Sequence, residues 1–174
     1  RAYDQIIHDV ALQNLPVIFC VDRAGLVGED GATHQGAFDI AFLRVIPNLV
    51  VYSPLNETEL RNILFSVQRE LKSPIAIRYP RGRGVITNWQ LPFKTITIGK
   101  ANQLKIGSKV AILTHGFIGN NIVEALKLVK TAAKFSHYDF AFVKPLDEKC
   151  LHDIISSYEQ IITVEDGVEL GGFG

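Results

Sequence analysis

The chain has 174 residues, of which 47% are hydrophobic and 21% are charged, a composition that supports a folded core and excludes a mainly disordered protein. Its 18 Lys and Arg residues balance its 18 Asp and Glu residues. Nucleic acid and membrane surfaces are therefore not expected partners, because such binders usually carry a basic excess. No apolar run reaches the roughly 20 residues that span a bilayer. Two cysteines are too few for a disulfide framework and favour a cytosolic compartment.

Both ends of the sequence look interrupted. No Met precedes Arg1, and the first residues already have the pattern of a helix without a cap before it. The last four residues, Gly171-Gly172-Phe173-Gly174, resemble a turn that leads into another element. We therefore expect a fragment cut from a longer chain.

Strand and helix patterns alternate in the first half of the chain. Apolar residues at helical spacing predict a helix over residues 1–13, and the continuous apolar run at 15–21 is typical of a strand buried on both faces of a parallel sheet. A glycine-rich polar loop follows at 22–36. Asn56 is placed to cap a helix, with Glu59 at the reciprocal capping position. The other predicted elements here are a short helix at 37–45, a strand at 49–52, a helix at 57–71 and a strand at 74–79.

The alternation is interrupted at residues 82–97, where glycines, Trp89 and little periodicity indicate a connection between domains. It then resumes with predicted strands at 109–114, 139–143 and 160–164 and predicted helices at 119–134 and 148–157. Strand–helix alternation with short connections predicts an α/β fold of two domains with mainly parallel sheets. We place these domains at residues 1–84 and 98–174, joined by a linker at 85–97.

Polar side chains follow two of the predicted strands in the first domain. In open α/β sheets, ligands bind at the carboxyl ends of the strands, and both the loop after Val21 and Arg81 lie at such ends. We therefore expect their side chains to meet at one rim. The loop's polar residues are Asp22, Arg23, Glu29, Asp30, Thr33 and His34.

Several of these residues have more than one interpretation. His34 could be a surface histidine, but the nearby Asp30 and the surrounding glycines favour a functional role. Arg81 and Arg83 could form a solvated basic turn, or they could bind a phosphate or carboxylate through bidentate guanidinium contacts; the residues alone leave both possibilities open.

Three polar residues in the second half also follow strands. His115 has no partner nearby in the sequence, so a structural role is favoured. Glu165 and Asp166 end a predicted strand, and their pattern is compatible with either helix capping or a role at an interface.

Several segments together carry a resemblance to a known family. They are RAYDQ at 1–5 with IHD at 7–9, DRAGLVGEDGATHQGAFD at 22–39, IRYPRG at 77–82, VKPLD at 143–147, VED at 164–166 and GGFG at 171–174. Over its whole length the sequence resembles the thiamin-dependent transketolase superfamily, and within it the 1-deoxy-D-xylulose-5-phosphate synthase family. Transketolase itself usually has proline where this chain has Gly36, and it lacks the Asp-Arg-Ala-Gly run.

The resemblance implies a fold and a reaction. The chain would comprise the second half of a transketolase-like pyrimidine-binding domain and a transketolase C-terminal-like domain that is truncated at its end. The implied reaction condenses pyruvate with D-glyceraldehyde 3-phosphate, with loss of CO2, for isoprenoid, thiamin and pyridoxal precursor synthesis. It uses thiamin diphosphate and Mg2+. A homodimer is implied, with the apolar helix face at Ala2, Ile6 and Val10 as a candidate interface. The implied location is the cytoplasm of a bacterium, with a plastid as the alternative.

The same resemblance implies roles for individual residues. His34 and Asp30 would lie near the reacting carbons, where a histidine can hold hydroxyl groups or exchange protons. Arg23 and Arg81 would clamp the phosphate of the triose. Arg1 would line the active-site cleft.

The family's main cofactor ligands are missing from this sequence. Its magnesium-binding Gly-Asp-Gly does not occur here, since the run at 28–31 is Gly-Glu-Asp-Gly. The family's glutamate that activates the aminopyrimidine, and the aromatic residue that stacks on it, would lie before Arg1. We therefore expect this chain alone to hold no metal, to bind thiamin diphosphate weakly and to be inactive.

Three alternatives to this enzyme remain open. One is the β subunit of a 2-oxo acid dehydrogenase, which shares the two-domain layout, although the arginine pair and Thr33-His34-Gln35 argue against it. The others are another transketolase-like enzyme and a non-catalytic assembly module.

Overall fold

Two four-stranded sheets carry the fold, and the computed structural model describes residues 2–86, 88 and 90–174. The strands are β1 Ile18–Val21, β2 Val50–Tyr52, β3 Ile75–Arg78, β4 Asn102–Lys105, β5 Val110–Thr114, β6 Phe135–Asp139, β7 Phe142–Lys144 and β8 Gln160–Val164. The helices are α1 Tyr3–Gln5, which continues as a π-helix over Ile6–Ala11, then α2 Asp39–Leu43, α3 Glu57–Glu70, α4 Ile118–Leu128, a 3-10 turn at Ala132–Lys134, and α5 Glu148–Ser157. No helix among the described residues is long and apolar enough to cross a membrane.

The first sheet has the strand order β1-β3-β2-β7, and its first three strands are parallel. Successive side chains of a strand point to opposite faces, and in β3 both faces are buried. Ala76 packs on one side with α2, whereas Ile75 and Ile77 pack on the other with Ile63 and Val67 of α3. The apolar run of β3 therefore has the expected cause, since helices cover both of its faces. The run at β1, expected to be buried on both faces, instead forms an edge strand of this sheet, and its Cys20 is exposed.

The second sheet has the order β4-β6-β5-β8, with β5 parallel to both β6 and β8. The expected α/β fold class with two mainly parallel sheets is confirmed. The sequence analysis missed β4, a polar strand that pairs antiparallel with β6 at the edge of the sheet. The helix expected over 119–134 ends as α4 at Leu128, because Val129 adopts an extended conformation.

The strand predicted at 139–143 is wrong, because the chain there passes from one sheet to the other. β6 ends at Asp139 in the second sheet, and β7 pairs antiparallel with β2 of the first. The amide of Phe140 still donates to the Thr114 carbonyl at 2.7 Å, whereas the Ala141 carbonyl accepts from the Ser53 amide at 2.7 Å. A strand from the second half of the chain thus belongs to the first sheet, and the proposed domain boundaries stay predictions.

The start of α3 has the predicted cap. Asn56 Oδ1 accepts from the Glu59 amide at 3.1 Å. The Glu59 carboxylate accepts from the Leu55 amide at 2.9 Å, one residue before the expected position. These bonds satisfy amides that a helix leaves unpaired at its start, and they fix α3 directly after the end of β2.

The predicted linker lies along α3 where it is described. Phe93 stacks on Phe65 with ring centroids 4.5 Å apart, and the Arg61 guanidinium lies 3.7 Å above the Phe93 ring. The Ile96 amide donates to Ser66 Oγ at 2.8 Å. Trp89, part of the linker pattern, lies outside the described residues.

Asp139 is fully buried where the two sheets meet, and this burial should make stability depend on pH. Burial raises its pKa well above the usual range, and the Glu59 carboxylate raises it further. The folded protein therefore keeps a proton that the unfolded chain loses, so the free energy of unfolding falls as pH rises above about 4. We expect Asp139→Asn, in the intact protein, to reduce the fall in unfolding temperature between pH 5 and pH 8.

The matched control is Asp153→Asn, which removes an exposed carboxylate on α5 and should leave the pH profile unchanged. An Asp139→Asn profile that parallels the wild type would contradict this assignment.

Candidate active site

The carboxyl ends of β1 and β3 are held side by side beyond the strands themselves. The Ala24 amide, past the end of β1, donates to the Tyr79 carbonyl, past the end of β3, at 3.0 Å. This bond extends the parallel pairing into the two segments that leave the sheet. It brings the loop at 22–36 beside the Pro80-Arg81-Gly82 turn, as expected from the sequence.

Two arginines from these segments meet around one carboxylate. Arg23 Nη1 lies 2.9 Å from Asp30 Oδ2, and Arg81 Nη1 donates to Asp30 Oδ1. Glu29 approaches the outer side, with its Oε2 3.7 Å from Arg81 Nη2. The Asp30 side chain is only 11% exposed, whereas those of Arg23 and Arg81 are 45% and 41% exposed. Because each guanidinium has five N–H donors, both can bind a further anion from the solvent side.

Two glycines at the base of the loop leave room for the backbone of Arg23. Arg23 has a positive φ of 64°, and its amide donates to Asp22 Oδ1 at 2.7 Å. Gly25 and Gly36 exchange backbone hydrogen bonds of 3.1 and 2.8 Å, which close the base of the loop. A Cβ at Gly36 would overlap the Arg23 carbonyl, so a residue with a side chain at position 36 would displace Arg23.

Gln35 holds the loop from inside, a role that the sequence analysis missed. Its Oε1 accepts from the Val27 amide at 2.6 Å, and its Nε2 donates to the carbonyls of Val27 and Gly31 at 2.8 and 2.7 Å. A side-chain amide that both donates and accepts can replace a missing strand partner. The only signal in the sequence was a glutamine within a glycine-rich loop.

Of the other predicted site residues, the structure describes only His34. His34 is exposed, and its Nδ1 lies 2.9 Å from Thr33 Oγ1. Its backbone amide donates to the Gly31 carbonyl at 3.3 Å. Arg1, expected to line the cleft, lies outside the described residues. The structure therefore brings Arg23, Asp30 and Arg81 together and leaves His34 on the exposed side of the loop.

Arg78, which the sequence analysis did not single out, forms a buried network just behind the arginine pair. Its side chain is 2% exposed. Its Nε donates to Asp39 Oδ2 at 2.7 Å, and its Nη1 donates to Ser53 Oγ at 3.1 Å. The same Nη1 lies 3.4 Å from His115 Nδ1, and Nη2 lies 3.6 Å from Asp166 Oδ1. His115 and Asp166 therefore serve the interface between the two halves of the chain.

Glu165 completes the network on the side of the second sheet. Its Oε2 lies 3.8 Å from His115 Nε2, and its carboxylate accepts from the amides of Phe173 and Gly174 at 2.9 to 3.2 Å. Burial alone would raise its pKa, but the nearby His115 ring and the two amides lower the pKa of Glu165 to about 2. Of the two roles left open for Glu165, the structure supports the interface role.

A cleft of about 640 Å³ opens beside Arg81. Asp22, Tyr79, Leu55, Glu57 and Phe117 are among the residues that line it. Its size is typical of small-molecule sites, and it lies at the carboxyl ends of the strands, where α/β sheets bind ligands. Within the described ranges, no group of three or more His, Cys, Asp or Glu side chains could hold a metal ion.

Comparisons with known proteins identify the family of this chain. A family profile described as transketolase, pyrimidine binding domain matches residues 1–85, and one described as transketolase, C-terminal domain matches residues 99–174. The 1-deoxy-D-xylulose-5-phosphate synthase of Cytophaga hutchinsonii is 55% identical over the whole chain, and that of Bacteroides thetaiotaomicron is 51% identical. The chain spans 28% and 27% of the lengths of these proteins.

One solved structure, a split-gene transketolase described as an inactive beta4 tetramer, superposes with a TM-score of 0.84 at 27% identity. The match covers 99% of this chain and 55% of that one.

The low pKa of Glu165 predicts acid-dependent stability. Because its pKa is about 2 in the folded protein and about 4.5 in the unfolded chain, its contribution is complete above pH 4.5 and is lost as pH falls towards 2. We expect Glu165→Gln to lower the free energy of unfolding at pH 7 by at most about 3 kcal/mol. The difference from the wild type should shrink steadily below pH 4.5.

Urea unfolding of the intact protein at pH 7, 4 and 3 measures this effect. Glu159→Gln, at an exposed carboxylate paired with Lys109, is the control and should cost less than about 1 kcal/mol. A Glu165→Gln penalty that is independent of pH would contradict the ionised state proposed here.

Proposed function

Because this chain belongs to the transketolase family, we propose that it forms the carboxyl-terminal part of a 1-deoxy-D-xylulose-5-phosphate synthase. The proposed reaction of the whole enzyme condenses pyruvate with D-glyceraldehyde 3-phosphate and releases CO2. Two relatives that are 55% and 51% identical to the chain along its entire length bear that enzyme's name, which supports the proposal. The product would feed isoprenoid, thiamin and pyridoxal synthesis.

The observation that carries the proposal is the meeting of Arg23 and Arg81 around Asp30 beside the cleft. The two guanidinium groups share one close carboxylate, and the Glu29 carboxylate, 86% exposed, approaches only Arg81 from the outer side. Both arginines are partly exposed and retain donors for a second anion. This arrangement suits the phosphate of a triose phosphate, which guanidinium groups bind with two parallel hydrogen bonds.

His34 suits a role closer to the reacting carbons. Its ring is exposed on the loop that carries Arg23 and Asp30, and Thr33 Oγ1 holds its Nδ1 at 2.9 Å. The Nε2 atom is then left to face a ligand. An imidazole can accept or donate a proton near neutral pH, so we assign His34 to hydroxyl binding and proton exchange.

Membership of the transketolase family implies thiamin diphosphate as the cofactor, and we propose Mg2+ as its metal ion. When bound, thiamin diphosphate supplies the electron sink for the decarboxylation of pyruvate. The described residues contain no cluster that could hold the metal, so they do not fit the diphosphate and its ion by themselves. We therefore assign those ligands to other parts of the whole enzyme and expect this chain alone to be inactive.

We also propose a cytoplasmic homodimer. Of the residues expected at the interface, Ile6 packs partly against the core of its own chain, whereas Ala2 is exposed. Phe42 is 43% exposed, lies with its ring 5.5 Å from that of Tyr3 and enlarges the apolar surface on this side. The structural relative described as a tetramer supports only the general expectation of an oligomer.

The arginine pair gives the proposal its sharpest test. In the intact enzyme, Arg81→Ala should raise the KM for glyceraldehyde 3-phosphate roughly 10- to 100-fold, since a charge-assisted hydrogen bond contributes about 1.5–3 kcal/mol. The KM for pyruvate should hardly change, because pyruvate carries no phosphate. Arg81→Lys should restore part of the loss, since an ammonium group lacks the planar fork. Steady-state kinetics with each substrate varied in turn measures these effects.

Two variants serve as comparisons. Arg69→Ala removes an exposed arginine in the last turn of α3 and should leave both KM values unchanged, whereas His34→Ala should mainly lower kcat. Equal changes in both KM values for Arg81→Ala would argue against a phosphate clamp. An intact enzyme that forms no 1-deoxy-D-xylulose 5-phosphate, and instead oxidises 2-oxo acids with a lipoyl partner, would support the dehydrogenase alternative.

A further inference from the structure

The segment that follows β8 packs directly on the base of the polar loop. A Cβ at Gly25 would overlap the Asp166 carboxylate, so this carboxylate occupies the space beside the loop backbone. Farther along, the Gly172 carbonyl accepts from Arg44 Nη1 next to α2, and a Cβ at Gly171 would lie 3.3 Å from the Ala41 side chain. The second half of the chain thus supports the segment that carries Arg23 and Asp30.

Asp166 touches both segments that carry the arginine pair. One carboxylate oxygen lies against Gly25, which is two residues from Arg23. The other lies 3.6 Å from Nη2 of Arg78, which is three residues before Arg81. A single side chain from the second half of the chain therefore contacts both strand ends, which the Ala24–Tyr79 hydrogen bond holds side by side.

The need to neutralise the charge of Arg78 does not by itself explain the position of Asp166. Asp39 already pairs with the buried Arg78 guanidinium at 2.7 Å, and its side chain is 5% exposed. Asp166 pairs at the longer distance of 3.6 Å and is 23% exposed. Removal of the Asp166 charge would leave Arg78 paired with Asp39. We therefore expect it to change mainly the position of the loop at residues 22–36.

We propose that Asp166 is a positioning residue through which the C-terminal half of the chain sets the geometry of the phosphate-binding arginine pair. The proposal depends on the proposed function for the roles of Arg23 and Arg81. By holding the backbone at Gly25 and the guanidinium of Arg78, Asp166 keeps the two arginines at the spacing at which both reach Asp30. A bidentate oxyanion site is sensitive to such spacing, since small displacements of binding groups have large effects on rate and affinity.

Asp166→Asn in the intact enzyme tests this proposal, because asparagine keeps the shape and removes the charge. We expect the KM for glyceraldehyde 3-phosphate to rise roughly 3- to 10-fold, with kcat and the KM for pyruvate within about twofold of the wild type. Hydrogen exchange measured by mass spectrometry should be faster in peptides covering residues 22–36 and unchanged in peptides covering α3. Asp153→Asn, at an exposed site on α5, is the matched control.

A second variant approaches the same contact from the loop. Gly25→Ala places a methyl group against the Asp166 carboxylate, at a φ of 75° that side chains rarely adopt. It should raise the same KM and the same exchange rates. If it fails to fold, the Asp166→Asn measurements still decide the proposal.

Three other outcomes would overturn the inference. The KM and the loop exchange could remain at wild-type values in Asp166→Asn while Arg81→Ala raises the KM, which would leave the proposed function intact. Exchange could instead rise uniformly in both sheets together with a lower unfolding temperature, which would indicate a purely structural role. In the third outcome, Arg81→Ala has no effect on the KM for glyceraldehyde 3-phosphate, and the proposed function fails. Unchanged hydrogen exchange of residues 22–36 in Asp166→Asn would then reject the positioning role as well.

Discussion

The buried guanidinium of Arg78 is the constraint on which the rest of the structure depends. An arginine that is 2% exposed must have its charge paired, because an unpaired buried charge is very costly. Its partners come from four different places in the chain: Asp39 of α2, Ser53 after β2, His115 after β5 and Asp166 after β8. These partners can surround the Arg78 side chain together only if the carboxyl ends of both sheets face each other.

Apolar packing supports the same arrangement. Phe173 packs against core residues of both sheets and lies 5.3 Å from the His115 ring, centroid to centroid. The amide of Phe173 donates to Glu165, so the polar and apolar contacts are made by one short segment. Burial of side chains supplies most of the stability of such a junction, whereas the ion pairs select one orientation of the two halves. The junction reaches the polar loop through Asp166, whose carboxylate lies against Gly25, two residues from Arg23.

Local patterns in the sequence were sufficient for much of the fold and for part of the site. Continuous apolar runs identified β1 and β3, although only β3 is buried on both faces, and Asn56 identified the start of α3 because capping is a local interaction. The meeting of Arg23 and Arg81 followed from the rule that parallel strands end at a common rim.

Other features depend on partners that are distant in sequence. The passage of the chain between sheets at Phe140 and Ala141 could not be predicted, because both residues are apolar and either sheet could have accepted them. The partners of Arg78 lie 25 to 39 residues away for Ser53, His115 and Asp39, so no local pattern indicated them. The nearness of Asp30 in the sequence favoured a functional role for His34, but in the structure Asp30 pairs with the two arginines whereas His34 contacts Thr33.

The most direct test of this account is hydrogen exchange in the intact protein with Arg78→Met, measured by mass spectrometry on peptides from both sheets. Methionine keeps much of the volume and removes the charge that joins the two halves. The account predicts that protection falls together in peptides covering β3 and in peptides covering residues 165–174, with a loss of about 3–5 kcal/mol in stability. A loss of protection confined to β3, with residues 165–174 unchanged, would contradict the claim that Arg78 joins the two halves at the site.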